Sequence, residues 1–188
     1  SLNSRKSALR ILFELFSAEE LWENLDLDID LDVETSMAIL SEGAKISEQV
    51  LLPLLQTGDE EQCLFENGNV KVPTGFVKAF KQFAQGGWQS LGGSPDFGGQ
   101  GLPKMLTVLF EEMVMASNPS FALFPTLTNG NALALNAHAS EELKNIYLPK
   151  MYSGEWAGTM CLTESHSGTD LGIIKTKAVP NNEQSDDE

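Results

Sequence analysis

The sequence is short of positive charge. Twelve Lys and Arg stand against 27 Asp and Glu, a net charge of −15 over 188 residues. A chain this acidic lacks the cations that neutralise phosphates, which argues against non-specific nucleic-acid binding and against an anionic membrane surface. It leaves room for an anionic small molecule, because a local loop can offer N–H donors whatever the global charge. Long apolar runs are missing too. None approaches the roughly 20 residues that span a bilayer. No basic start, apolar stretch and small-residue cleavage site mark a secretory leader. Cysteine is scarce: Cys63 and Cys161 make no disulfide framework, and a reducing, cytoplasmic setting is the expectation. Histidine is equally scarce. His138 and His166 have no clustered Cys or carboxylate spacing around them, so no metal site is expected. No internal repeat of solenoid period is present.

What is present is an ordinary 41% apolar content, enough for one sizeable domain and a piece of a second. Helical spacing dominates. Leu9, Leu12, Phe13 and Phe16 share one face of a helix over residues 4–16, and a short helix follows over 18–25. "LDLDIDLD" (25–32) alternates strictly. Asp26, Asp28 and Asp30 imitate the start of a calcium loop, but Leu31 stands where its Gly is needed and Met37 where its Glu is needed. The stretch reads as an acidic connector, with Asp32 at the start of the next helix. That helix covers 33–56, bent or cut short by Pro53. A polar loop with an Asn67-Gly68 turn signal leads to a helix over 74–83, opened by Pro73. Residues 86–103 are Gly-rich and irregular. Pro103 starts a helix whose buried face is Leu106, Leu109, Phe110 and Met113. Residues 118–140 form a long, mostly buried helix, imperfect at Pro125 and Gly130, features that fit close packing or a nearby ligand as well as a simple kink. Ser140 caps another short helix, and Gly154 ends it. Residues 155–163 and 173–179 read as strands, with β structure confined to this last part of the chain. The acidic tail looks frayed.

The chemistry concentrates in "MCLTESHSGTDLG", residues 160–172. A dinucleotide fingerprint fails there, since Gly168 and Gly172 are four apart and a β-like stretch follows. Gly99 and Gly101 fail likewise, with Lys104 at the third position. No phosphate-loop Gly-Lys-Ser/Thr occurs. Ser165, His166 and Asp170 make no credible triad, because triads converge from distant parts of the chain and no nucleophile elbow is present. What remains is a strand end whose backbone and hydroxyls suit a planar heterocycle or a phosphate. A plain polar turn between two strands fits the same residues equally well.

"GEWAGTMCLTESHSGTDLGIIKTKA" (154–178) resembles the flavin-binding signature of acyl-CoA dehydrogenases. The matching elements are Leu162-Thr163-Glu164, a short small-residue loop, Gly168-Thr169-Asp170 and Lys175-Thr176-Lys177-Ala178. "SPDFGGQGLP", "SEELKNIYLPKMYSGEW" and "LFELFSAEELW" are also similar to the family, so the resemblance covers nearly the whole chain. Its style is that of the larger subgroup containing 3-methylmercaptopropionyl-CoA dehydrogenases. Ser165 replaces a usual Pro, and His166 and Ser167 stand where Gly and Ala are common.

The resemblance implies a mainly α chain: the family's N-terminal helical domain (1–154) joined to the first strands of a middle β-barrel domain (155–188). It implies a piece of a longer FAD-dependent enzyme that desaturates an acyl-CoA thioester between Cα and Cβ, with the catalytic carboxylate in a part this chain lacks. Met160, Leu162, Thr163, Gly168 and Thr169 would contact the flavin, and Thr169 also the acyl-CoA. The helix over 120–137 would flank the acyl pocket. An electron-transfer flavoprotein or another acceptor, and self-association of the full-length protein, are implied as partners. A flavin oxidase or other non-canonical homologue, and a helical interaction module without catalysis, are the competing readings.

Overall fold

A computed structural model describes residues 11–24 and 31–179. The helix start expected from residue 4, the acidic alternation over 25–30 and the acidic tail lie outside the described residues. What is described is dominated by helices, and no helix among the described residues is long and apolar enough to cross a membrane.

A single wide π-type turn, Ile11–Leu15, leads into helix α1 (Ala18–Glu23). Phe13 meets Trp22 edge-on at 5.1 Å. Helix α2 spans Val33–Ile46, and Asp32 caps it as expected: its Oδ1 accepts the Thr35 N–H at 2.7 Å. That bond holds the Asp32 carboxyl below its ordinary pKa. Gly43 lies in the last turn of α2. An added Cβ there would sit 2.6 Å from Phe110 Cδ2, so the roughly 1 kcal/mol of helix propensity lost at Gly permits a close helix crossing.

Pro53 acts as the sequence suggests. It supplies no N–H and crowds the preceding turn, and the helix adjusts on both sides. Residues Ser47–Leu51 widen into a π turn, in which the Leu52 N–H reaches back to the Ser47 carbonyl; a 3₁₀ turn follows over Leu52–Leu54. Helix α3 then runs Leu55–Glu61. The distortion is locked from outside by buried Asn118, whose Nδ2 donates to the Leu51 carbonyl at 3.1 Å.

The polar loop after α3 is a β-hairpin. Strands β1 (Leu64–Glu66) and β2 (Asn69–Lys71) pair antiparallel, with Phe65 opposite Val70. Asn67 (φ 51°) and Gly68 (φ 78°) are both left-handed, as a two-residue hairpin turn of matching twist requires. This corrects the expectation that β structure is confined to the last part of the chain. The Asn-Gly signal between apolar pairs was the clue. Helix α4 spans Phe76–Gln85 and starts two residues later than expected, because Gly75 takes a left-handed conformation (φ 89°).

Helices α5 (Lys104–Ser117), α6 (Pro119–His138) and α7 (Glu141–Tyr152) complete the bundle. Asn118 caps α6 through the Phe121 N–H at 3.0 Å, and Ser140 caps α7 through Leu143. Helix α6 runs unbroken through Pro125 and Gly130. The core centres on Phe83, Phe110 and Phe121, whose rings lie 5.6–5.9 Å apart in the pairs Phe83–Phe121 and Phe83–Phe110. A second small cluster, Ala132, Leu148, Met151 and Tyr152, joins α6 to α7.

Between α4 and α5 the Gly-rich segment has no long element, yet it is closely wired. The N–H groups of Gln100, Gly101 and Leu102 donate to the carbonyls of Ser90, Gly93 and Leu91 at 2.8–2.9 Å. Gly99 lies so tightly on Gly93 that a Cβ would stand 2.1 Å from its carbonyl carbon.

The strands expected over 155–163 and 173–179 are not paired. Residues 155–179 are extended chain and turns, with one isolated bridge, Glu164 to Ser167, and a 3₁₀ turn at Leu171–Ile173. The β-type composition is there, but a strand needs a neighbour to accept its hydrogen bonds, and no described strand pairs with either stretch.

Candidate functional site

The chain leaves α7 through Gly154, left-handed at φ 75° and pressed against Ala84. Trp156 folds back: its N–H reaches the Lys150 carbonyl at 3.0 Å and its ring lies under the Lys150 ammonium, 4.1 Å from the centroid. The next residues are laid along α6. Gly158 donates its N–H to Thr128 Oγ1 at 3.2 Å, and Asn131 Nδ2 donates to the Thr159 carbonyl at 3.4 Å. A Cβ on Gly158 would collide with the Asn131 Cβ at 2.7 Å, and Met160 covers the bare backbone of Gly130. Small residues on both elements allow this approach, which explains why α6 tolerates a glycine in its middle.

Beyond this seat the chain turns outward. Met160 is 58% and Leu162 50% exposed, and Thr163, Gly168 and Thr169 are exposed too. All five residues singled out in the sequence therefore face solvent. They lie on the two limbs of one turn, Met160, Leu162 and Thr163 before it and Gly168 and Thr169 after it. A tight reciprocal pair joins the limbs: the Glu164 N–H donates to the Ser167 carbonyl at 2.9 Å, and the Ser167 N–H returns to the Glu164 carbonyl at 3.1 Å. Ser167 is buried, and its hydroxyl donates to the Asp170 carbonyl at 2.7 Å. Asp170 Oδ1 in turn accepts the Gly172 N–H at 2.9 Å.

Glu164 belongs to the signature but is not among the five candidate site residues. Its partly buried carboxylate accepts the N–H of Lys175 at 3.0 Å, the N–H of Thr176 at 2.9 Å and the Thr176 hydroxyl at 2.5 Å. The Thr176 hydroxyl first, then the two backbone N–H groups, hold its pKa below the ordinary value. His166 Nε2 lies 3.1 Å from Glu164 Oε2 and 3.1 Å from the Ile173 carbonyl. Ser165, His166 and Asp170 are thus committed to turn structure or solvent, and the turn arranges no nucleophile, base and orienter in sequence. Among the described residues no three His, Cys, Asp or Glu side chains are grouped to hold a metal ion.

The turn leaves its outward groups uncommitted. Among the described residues, no hydrogen bond uses the Thr163 hydroxyl or the N–H groups of Gly168 and Thr169, and a Cβ on Gly168 would meet nothing within 4 Å. Free short donors, open backbone and two half-exposed apolar side chains suit one face of a flat heteroaromatic ring with polar edges. A separate cavity of about 80 Å³ opens beside α6, between Trp88, Thr107, Phe110, Pro125, Asn129 and Tyr152.

Comparison with known proteins identifies the family. The profile described as "Acyl-CoA dehydrogenase, N-terminal domain" matches residues 34–155. The chain is 38% identical over 171 residues to the 3-methylmercaptopropionyl-CoA dehydrogenase of Ruegeria pomeroyi, covering 88% of this chain and 29% of that protein. It is 35% identical over 150 residues to a butyryl-CoA dehydrogenase of Syntrophomonas wolfei, covering 76% of this chain and 24% of the relative. Among solved structures, an acyl-CoA dehydrogenase complexed with FAD from Bacillus anthracis superposes with a TM-score of 0.63 at 24% identity, over 79% of this chain and 24% of that one; this likeness is one of fold. The chain spans less than a third of the length of these curated relatives. The matched profile takes in the helical part of the chain, and the chain belongs to the acyl-CoA dehydrogenase family.

Proposed function

We propose that this chain supplies the N-terminal helical domain (1–154) and the start of the middle domain (155–188) of an FAD-dependent acyl-CoA dehydrogenase. The observation that carries this reading is the outward face of the 160–172 turn. Its donors are free, its backbone is bare at Gly168, and its sequence position matches the family's flavin signature. FAD, when bound, supplies the acceptor for the hydride leaving the β-carbon of the thioester. The chain's own residues bind and orient. Met160 and Leu162 offer apolar surface to the ring, Thr163 offers a hydroxyl and N–H to its polar edge, and Gly168 and Thr169 offer close backbone approach. Thr169 also faces the acyl-CoA. The cavity beside α6 is the candidate seat for part of the acyl chain, since α6 carries both the cavity wall and the seat of the turn. None of the acids of this chain is assigned the removal of the α-proton. An electron-transfer flavoprotein or another acceptor would reoxidise the flavin, and self-association of the full-length protein fits the reading.

The test is flavin content and acyl-CoA-dependent bleaching of the flavin in the full-length protein. Bleaching under anaerobic conditions, with slow reoxidation by oxygen, supports a dehydrogenase. Fast reoxidation by oxygen identifies an oxidase. A protein that takes up no FAD sinks the reading. Thr163→Val keeps the side-chain shape and removes the hydroxyl. It should weaken FAD binding about five- to a hundredfold, matching the roughly 1–3 kcal/mol of a hydrogen bond lost from a buried partner. Thr169→Val should act mainly on acyl-CoA affinity.

A further inference from the structure

We propose that Glu164 is a positioning residue whose carboxylate clasps the two limbs of the 164–176 turn and so sets the shape in which Thr163, Gly168 and Thr169 meet the flavin. The flavin half of this inference rests on the reading of the turn given above.

The carboxylate is saturated. Oε1 accepts both the N–H and the hydroxyl of Thr176, and Oε2 accepts the Lys175 N–H and lies 3.1 Å from His166 Nε2. Two of these partners lie 11 and 12 residues along the chain. The same residue makes the reciprocal backbone pair with Ser167. Its main chain therefore closes the inner turn, while its side chain closes the outer limb. Everything between, from Ser165 to Ile174, is held at both ends by one residue that directly follows Thr163. A displacement of Glu164 moves Thr163 with it.

The chemistry selects a carboxylate. Two convergent backbone N–H groups and a hydroxyl need an acceptor with two oxygens and no donor. Gln would turn an NH₂ toward one of those N–H groups, and Asp would fall a methylene short. Four donors around two oxygens also leave the group unsuited to accept a proton from substrate. Its role is to hold the turn rather than to act on the thioester. His166 adds a donor at a position where the family resemblance leads one to expect a small residue, and its second contact, to the Ile173 carbonyl, ties the clasp to the 3₁₀ turn.

The experiment uses the full-length protein and the variants Glu164→Gln, Thr176→Val and Thr176→Ser. Two quantities are read: amide hydrogen exchange at Lys175 and Thr176 without FAD, and FAD affinity with the flavin absorption spectrum. In Glu164→Gln, exchange at these two amides should rise about tenfold or more, and FAD affinity should fall by about the same factor with an altered spectrum. The α5 and α6 amides should exchange unchanged. Thr176→Val should move both readouts in the same direction, and Thr176→Ser, which keeps the hydroxyl, should restore them. Unchanged exchange at Lys175 and Thr176 in Glu164→Gln would overturn the clasp. Faster exchange with FAD affinity and spectrum intact would overturn the positioning role. Failure of the unsubstituted protein to bind FAD would overturn the flavin reading and the positioning role with it, while the exchange arm would still report whether the clasp exists.

Discussion

Residues 86–103 and 155–179 look alike in sequence, since both are rich in small residues and neither contains a helix longer than one turn. They are built in different ways. The first is wired through its backbone, by a ladder between 90–93 and 100–102, and it buries Gln89, Ser90, Leu91 and Leu102. The second is wired largely through side chains: Glu164, Ser167 and Asp170 hold the turn, and apart from the reciprocal Glu164–Ser167 pair the backbone over 165–169 stays open. A backbone ladder consumes the groups a ligand would need. Side-chain acceptors fix a shape while leaving outward N–H groups free. Glycine accordingly means close packing at Gly99 in the first segment and access at Gly168 in the second.

A matched pair of substitutions at the two kinds of glycine would break this contrast most sharply. Gly99→Ala places a methyl on the Gly93 carbonyl, a backbone clash with no flexible atom to yield. It should cost about 3 kcal/mol or more in a denaturant titration. A loss below 1 kcal/mol would show that the two chain passes are not in contact. The next effect is at the seat on α6. Thr128 accepts the Gly158 N–H and donates to the Phe124 carbonyl at 2.9 Å. Thr128→Val should cost about 1–2 kcal/mol and speed exchange of the Gly158 amide while α5 stays protected.

A smaller and purely local effect is expected in acid. The folded pKa of Glu164 is depressed from its ordinary value of 4.5. Its contribution is therefore fully present above that value, and is lost as the pH falls through the lower folded pKa. Lys175 and Thr176 amides should lose protection below pH 4.5, ahead of the core helices, when exchange is followed in a pH series. Simultaneous loss in both regions would deny the side-chain wiring its separate character. Gly168→Ala should be the mildest change. Its Cβ meets open space and its backbone is not left-handed, so stability should shift by less than about 0.5 kcal/mol, with FAD affinity the property that responds.

Much of the helical framework was legible because its signals are local. Asp32 and Ser140 cap their helices by accepting N–H groups three residues downstream, and Pro53 disturbs the turn it stands in. The hairpin was only half visible: Asn67-Gly68 announced the turn, while three-residue strands with every side chain exposed carry no burial pattern. The strands expected in 155–179 failed for the opposite reason. Their composition is β-like, but pairing depends on a partner elsewhere in space. At the site, the signature includes Glu164 but not what its side chain holds. Glu164 bonds to N–H groups 11 and 12 residues away, and backbone donors look the same at every position of a sequence.

The hairpin over residues 64–71 also offers something practical. Every residue of it is exposed, and its base is stitched to the bundle by Glu61, whose Oε2 accepts the Thr74 N–H at 2.7 Å. Nothing lies within 4 Å of a Cβ built on Gly68. An epitope or fluorophore grafted between Asn67 and Gly68 would enter at a chain reversal that buries no core, and a loop of moderate length costs little closure entropy there. The protein thus carries its own labelling port, remote in sequence from the turn at 160–172.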